Sequence, residues 1–240
     1  MNTVILLAGG TGTRIGMDIP KQFIKILGKP IIIYTLEKFE SNQNIDAVEI
    51  VCIQSYMDEL KEMIAQYNIQ KVKWIIEGGS TFQDSAMRGL FYLKGKIAEN
   101  DTVLIHCANS PMVTDEIIND AIRVCNEHGN GIAADETIMC TCIKDDEFCS
   151  SVGILRETIV GLNMPQAFRY GFICDLYDTA IAEGTLDSID PHTTSLMLAY
   201  GKKIYFSKSA TNNLKITRKE DLDVFEGLVL LQQKRTEELN

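Results

Sequence analysis

The sequence predicts an α/β fold, a mainly parallel sheet covered by helices on both faces. Two observations carry this. Short β-rich runs alternate with stretches whose apolar residues recur at helical spacing, the pattern of repeated strand–helix–strand units. The first apolar run, Val4 to Leu7, also stops at a glycine cluster, Gly9, Gly10 and Gly12. That puts a bare backbone turn at the carboxyl end of a strand, where such sheets bind ligands. At 240 residues, with 45% apolar residues and a mean hydropathy near zero, the chain suits a single domain spanning 1–240 with a proper core.

The elements follow in order. After the glycine loop, Pro30 to Phe39 reads as a helix and Ala47 to Ile53 as a second strand. Tyr56 to Tyr67 carries Met57, Leu60, Met63 and Ile64 on one helical face. Val72 to Ile76 is a third strand, Gln83 to Leu93 a helix, Thr102 to Ile105 a strand, Thr114 to Glu127 a helix and Gly131 to Ala134 a strand. The alternation then breaks. Polar and β-prone residues mix from about 135 to 164, which predicts a β-arm leaving the sheet and ending at Pro165-Gln166. A helix from Tyr170 to Glu183, a loop from Asp187 to His192, and short strands at Lys203–Phe206 and Leu214–Ile216 complete the sheet region. Thr217-Arg-Lys-Glu220 reads as a capping box opening the last helix.

Composition narrows the function classes. A net charge of −10 argues against a general nucleic-acid binder, although a cationic pocket can exist locally in an acidic protein. No apolar run approaches the roughly 20 residues of a membrane span, and the N-terminus lacks a charged region and cleavage site, so a cytoplasmic protein is expected. Seven cysteines without framework spacing fit reduced thiols. Cys140-Thr-Cys142 has no second metal-ligating pair at zinc-like spacing, so alternating strand residues are the better reading.

The glycine loop is the first candidate site. It lacks the Gly-Lys-Ser/Thr ending of a P-loop and the third small residue of a dinucleotide fingerprint. Alone it fits a plain strand-ending turn equally well. Arg14 and Lys21 add two permanent cations, and an amide-rich loop with two cations suits a triphosphate.

As a whole, LAGGTGTRIG followed by PKQF resembles the cytidylyltransferases that activate polyol phosphates. These include the methylerythritol-phosphate enzyme of isoprenoid synthesis and the ribitol-phosphate enzyme of cell-wall polymer synthesis, and the LAGG opening is more similar to the ribitol-phosphate branch. The resemblance runs from Ile5 to about Leu222. It implies a Rossmann-like nucleotidyltransferase fold of the nucleotide-diphospho-sugar transferase type, a homodimer formed through the arm, and CTP and a small phosphorylated polyol as partners. Magnesium is implied as cofactor, held largely by the triphosphate. The implied nucleotide set is Leu7, Ala8, Gly9, Gly10, Thr11, Gly12 and Thr13, with Gly79 and Ser85 at the cytosine end. Arg14, Lys21 and Lys215 are the implied catalytic cations, and Arg156, Ser110 and Thr141 the implied acceptor contacts. Arg156 matches a family arginine that reaches the neighbouring subunit's acceptor.

Four positions depart from the family pattern. Phe82 and Ser110 replace arginines, Met164 replaces a threonine near the acceptor, and Cys107 replaces an aspartate that helps hold the metal. No protein metal ligand is therefore expected, because a thiol is a poor partner for magnesium. His106 matches the family but reads most simply as a hydrogen-bonded strand-end residue. An acceptor bound differently from that of either named enzyme follows from these changes. The expected reaction is transfer of CMP from CTP to a ribitol 5-phosphate-like acceptor. The alternative is a nucleotide-binding relative without catalysis, acting as a regulatory or assembly subunit, and a third option is transfer from another nucleotide.

Overall fold

A computed structural model describes residues 1–10 and 19–238. Its centre is a seven-stranded sheet. The strands are β1 (Asn2–Ala8), β4 (Ala47–Cys52), β5 (Val72–Glu77), β6 (Thr102–Cys107), β7 (Asn130–Glu136), β10 (Val160–Arg169) and β11 (Phe206–Ser207). In space they run β11-β7-β10-β6-β1-β4-β5. All pairings are parallel except those of β10, which is antiparallel to both β6 and β7. Two small ribbons lie outside the sheet, β2 (Lys25–Ile26) with β3 (Lys29–Pro30) and β8 (Thr141–Ile143) with β9 (Val152–Ile154).

Side-chain alternation along β1 explains the layers. Val4, Leu6 and Ala8 face one core, shared with α1 (Ile31–Ser41), α2 (Met57–Gln66) and α4 (Asp115–His128). Ile5 and Leu7 face the other, shared with α3 (Phe82–Tyr92), α5 (Tyr170–Glu183) and α6 (Thr193–Ala199). A strand buried on both faces reads as a continuous apolar run, as Val4 to Leu7 does. The last helix, α7 (Glu220–Glu238), packs Leu222, Phe225 and Val229 against Ile24, Ile26 and Ile31.

The expected strand–helix order from β1 to β7 matches the structure within a residue or two. The later segments differ. Pro165-Gln166 does not end the arm. It lies within β10, a ten-residue strand inserted between β6 and β7. The register shifts between Leu162 and Gln166, and such an irregularity accommodates a proline that has no N–H for the ladder. The helix at Thr193–Ala199 was not expected. Leu214–Ile216 is no named strand, and Lys203–Phe206 contributes only Phe206–Ser207 to the sheet. The capping box is replaced. The Asp221 carboxylate, not Glu220, accepts from the Thr217 and Arg218 amides at 2.6 and 2.8 Å, while the Thr217 hydroxyl turns to the Lys215 carbonyl at 2.9 Å. The helix begins at Glu220, so Thr217 lies too far upstream to act as its N-cap. All seven cysteines are free thiols. No described helix is long and apolar enough to cross a membrane.

Candidate active site

The carboxyl ends of β5, β4, β1 and β6 lie in a row. Glu77 is level with Cys52, Cys52 with Ala8, and Leu7 with Cys107. The glycine loop leaves β1 here, Gly78-Gly79 leaves β5, and a cavity of about 540 Å³ opens above the row. It is lined by Leu7, Gly9, Gly10, Lys21, Gln22, Gly79, Ser80, Thr81, Phe82, Ser85, Cys107, Asn109, Pro191, His192, Lys215 and Thr217. A second cavity of about 620 Å³, between α1 and α7, contains none of the expected site residues.

One end of the site cavity is backbone-rich. Gly9 approaches Ser85 so closely that a Cβ there would sit 3.2 Å from the Ser85 hydroxyl. A Cβ on Gly79 would collide with the Asp84 side chain at 2.1 Å. Ser85 is held by the Gly79 amide, which donates to its hydroxyl at 3.0 Å. Thr81 caps α3 by accepting from the Asp84 amide at 3.0 Å, and Asp84 accepts from the Ser80 amide at 2.9 Å. The turn is thereby satisfied internally. What remains is a slot of peptide edges beside the Asp84 carboxylate, suited to a flat polar ring.

The same cavity also carries two cations, Lys21 and Lys215. Lys21 opens a short 3-10 turn (Lys21–Phe23) anchored by its neighbour Gln22. The Gln22 amide donates to the carbonyls of Ala8 and Gly10 at 2.7 and 3.1 Å, bracing the start of the glycine loop from below. The Lys215 ammonium lies 5.8 Å from the centre of the Phe82 ring, and its charge acts on the Cys107 thiol. Asn109 fixes the Lys215 segment in both directions. Its side-chain amide donates to the Ile216 carbonyl, and its own carbonyl accepts from the Ile216 amide at 2.8 Å. Burial pushes the Cys107 thiol up, against the pull of the Lys215 and Lys21 charges, so it stays protonated. His106 is fully buried and stands edge-on to Phe39, with Nε2 3.0 Å from the Ser110 carbonyl. Burial lowers its pKa to about 4, leaving it a neutral strut.

The expected residues fall into three groups. Leu7, Gly9, Gly10, Lys21, Gly79, Ser85 and Lys215 converge on the cavity, and buried Ala8 ends β1 beside them. Arg156 and Thr141 lie on the arm and do not line it. Among the described residues Arg156 meets only Glu157 at 3.3 Å and the Ile138 carbonyl at 3.5 Å, and Thr141 donates to the Met139 carbonyl at 3.2 Å. Ser110 is fully buried, its hydroxyl has no partner among the described residues, and it is not among the residues that line the cavity. Thr11, Gly12, Thr13 and Arg14 lie outside the described residues. Gln22, Asn109, His192 and Thr217 were not foreseen. Only Gln22 had a signal, since it stands within the Pro20-Lys21-Gln22 run.

Known proteins define the context of this geometry. The family model IspD, 2-C-methyl-D-erythritol 4-phosphate cytidylyltransferase, matches residues 2–230. The chain belongs to this cytidylyltransferase family. A ribitol-5-phosphate cytidylyltransferase from Lacticaseibacillus paracasei is 39% identical over 95% of this chain and 97% of its own. Another from Vibrio parahaemolyticus is 35% identical over 97% and 98%. A 2-C-methyl-D-erythritol 4-phosphate cytidylyltransferase from Clostridium botulinum is 34% identical over 95% and 97%. The crystal structure of 4-diphosphocytidyl-2C-methyl-D-erythritol synthase from Anaerococcus prevotii superposes with a TM-score of 0.80 at 21% identity, covering 96% of both chains, and shows the shared fold.

Cytidylyltransferases of this family work with a divalent metal ion. The described residues do not form a protein-held magnesium site. Among the described residues the cavity is lined by no carboxylate, the group nearest the strand end is the Cys107 thiol, and the Asn109 amide is committed to Ile216. Magnesium prefers hard oxygen ligands. Nowhere among the described residues do three or more His, Cys, Asp or Glu side chains form a metal cluster.

Proposed function

We propose that this cytidylyltransferase moves CMP from CTP to a small polyol phosphate resembling ribitol 5-phosphate, forming a CDP-polyol and pyrophosphate. The observation that carries this reading is the convergence of Lys21 and Lys215 on the cavity that also holds the Gly79–Ser85 slot. A pyrimidine at the slot directs its phosphates towards the lysines. The ribitol-phosphate acceptor is favoured by the first two relatives above.

An oxygen of the acceptor phosphate attacks the α-phosphorus of CTP. A new P–O bond forms as the bond to the bridging oxygen breaks, and the β- and γ-phosphates leave together as pyrophosphate. The acceptor phosphate is ionised at neutral pH, so no general base is needed. The barrier lies in bringing two anions together, and catalysis is mainly positioning and charge stabilisation. Lys21 stabilises charge on the α-phosphate and the leaving pyrophosphate, and Lys215 holds the attacking phosphate. Arg14 joins them, with the amides of Ala8 to Thr13 around the triphosphate. Magnesium arrives on the triphosphate as part of the substrate.

Arg156 and Thr141 complete the acceptor site of a second copy in a homodimer. The apolar surface of the arm supports this, since Phe148 is 90% exposed and Ile138, Met139 and Leu155 also face outward. In this reading the chain is one cytoplasmic domain of 1–240 that supplies an activated polyol for surface-polymer synthesis. The catalytically silent alternative has no support among the relatives, all of which are named as transferases.

Pyrophosphate release from CTP and magnesium tests the reading, with ribitol, glycerol and methylerythritol phosphates as acceptors and UTP and ATP beside CTP. Release that requires both CTP and ribitol 5-phosphate is expected. No release with any acceptor, together with no CTP binding by calorimetry, would overturn it.

A further inference from the structure

His192 enters the cavity from a loop that gave no sign of function in the sequence. Its backbone is fixed by the start of α6. The His192 carbonyl accepts from the Leu196 amide at 3.0 Å, and the next residue, Thr193, is fully buried with its hydroxyl 3.0 Å from the Tyr177 hydroxyl. The ring is fixed as well. Nδ1 lies 2.7 Å from the Asp190 carboxylate, which the Ser195 hydroxyl steadies at 2.9 Å. The face of the ring packs on Phe82, with centroids 5.1 Å apart and planes 32° from parallel.

This arrangement has a chemical consequence. A carboxylate only accepts hydrogen bonds, so in the neutral imidazole the proton lies on Nδ1, facing Asp190, and Nε2 carries a lone pair. Among the described residues Nε2 has no hydrogen-bond partner. A fixed imidazole acceptor at a cavity wall matches a hydroxyl donor. It does not match a phosphate oxygen, which carries no proton to give. The location narrows the source. Phe82 follows directly after Ser80 and Thr81 at the slot end, and the Lys215 ammonium lies 5.8 Å from its ring. The Phe82–His192 wall thus spans from base end to phosphate end, and in a nucleotide the sugar connects those two parts.

We infer that His192 is a substrate-contacting residue whose Nε2 accepts a hydrogen bond from a sugar-type hydroxyl, placed by Asp190 and Phe82. The hydroxyl comes from the ribose of CTP, with the polyol chain of the acceptor as the other source of the same chemistry. This rests on the cytidylyl-transfer reading, and wild-type turnover tests that reading separately.

The experiment compares wild type with His192→Phe, His192→Gln and Asp190→Ala, using CTP, dCTP and the acceptor in turn. Loss of one hydrogen bond changes binding about fivefold. The expected result is a KM for CTP about fivefold higher in His192→Phe with kcat little changed; an unchanged KM for dCTP assigns the contact to the 2′-hydroxyl, and a parallel rise assigns it to the 3′-hydroxyl. Partial recovery is expected in His192→Gln, whose amide oxygen can accept, and a smaller rise in Asp190→Ala, where the tautomer is no longer fixed. A matching rise in the acceptor KM instead would assign the hydroxyl to the polyol and equally support the contact. In nitrogen NMR of labelled wild type, the Nε2 signal should have pyridine character and move on addition of substrate. Unchanged KM values for CTP and acceptor in His192→Phe, in an enzyme of wild-type thermal stability, would overturn the inference. So would an Nε2 resonance that ignores both substrates.

Discussion

The two halves of the candidate site are built on different terms. The proposed nucleotide half sits on strand ends in the middle of the sheet, where Gln22, Asn109 and Ser85 commit their hydrogen bonds to neighbouring backbone. The proposed acceptor half sits on the arm, where Arg156 is exposed and touches little beyond its own neighbour Glu157 among the described residues. An exposed ion pair of that kind contributes little stability. The first half is preorganised within one chain, whereas the second has the composition of a surface still to be covered.

The sharpest way to break this comparison is to remove the preorganised charges. Lys21→Ala and Lys215→Ala should each lower kcat by about 10²–10³ while the far-ultraviolet circular dichroism stays unchanged. Near-full turnover in either variant would show that the cavity is not where charge develops.

Arg156→Ala should also lose most activity, but as a raised KM for the acceptor with CTP binding intact in calorimetry. If the arm serves the neighbouring copy, mixing inactive Lys21→Ala with inactive Arg156→Ala restores one good site in each mixed dimer. Random exchange then gives about a quarter of wild-type activity. No recovery after confirmed subunit exchange would return Arg156 to its own chain or to a solvated role.

Stability should follow the sheet and ignore the arm. Glu49 on β4 is fully buried, with both carboxylate oxygens unpartnered, and burial raises its pKa to about 8. In the unfolded chain it ionises in the ordinary carboxylate range. Its folded form is therefore favoured at acid pH, and stability is lost as pH rises towards and through 8. His106 acts on the other side, since a histidine held near 4 favours unfolding as pH falls below its ordinary value. Glu49→Gln should raise the melting temperature at pH 9 by a few degrees and change little at pH 5. An equal shift at both pH values would point to packing alone.

The smallest effect is expected at Cys107. Its thiol is buried and stays protonated, so Cys107→Ser, which keeps a small neutral polar group there, should leave kcat within about threefold of wild type. A much larger loss would mean that the sulfur takes part in the chemistry.

Much of this architecture was legible in the sequence because it depends on local pattern. Val4 to Leu7 followed by glycines, and the strand–helix alternation up to Ala134, follow from side-chain period and turn chemistry. Lys21, Gly79, Ser85 and Lys215 were legible through motif resemblance. What escaped depends on contacts distant along the chain. Asn109 matters because it meets Ile216, and His192 because it meets Phe82. No short window holds either pair. β10 escaped because its proline reads as a stop, and only the register shift beside it admits Pro165 into a central strand. The burial of Ser110 was not legible either, because a motif position gives a residue's neighbours in sequence but not which way its side chain turns.

The arm springs from two adjacent central strands. Val160 pairs with Glu136 at its base, and residues 137–159 lie beyond that closure. The segment is thus a cassette with a sealed joint. It can be lengthened, shortened or exchanged between relatives without disturbing the ladder below. If the arm serves the acceptor as proposed, substrate choice can change by grafting while the nucleotide chemistry stays as it is.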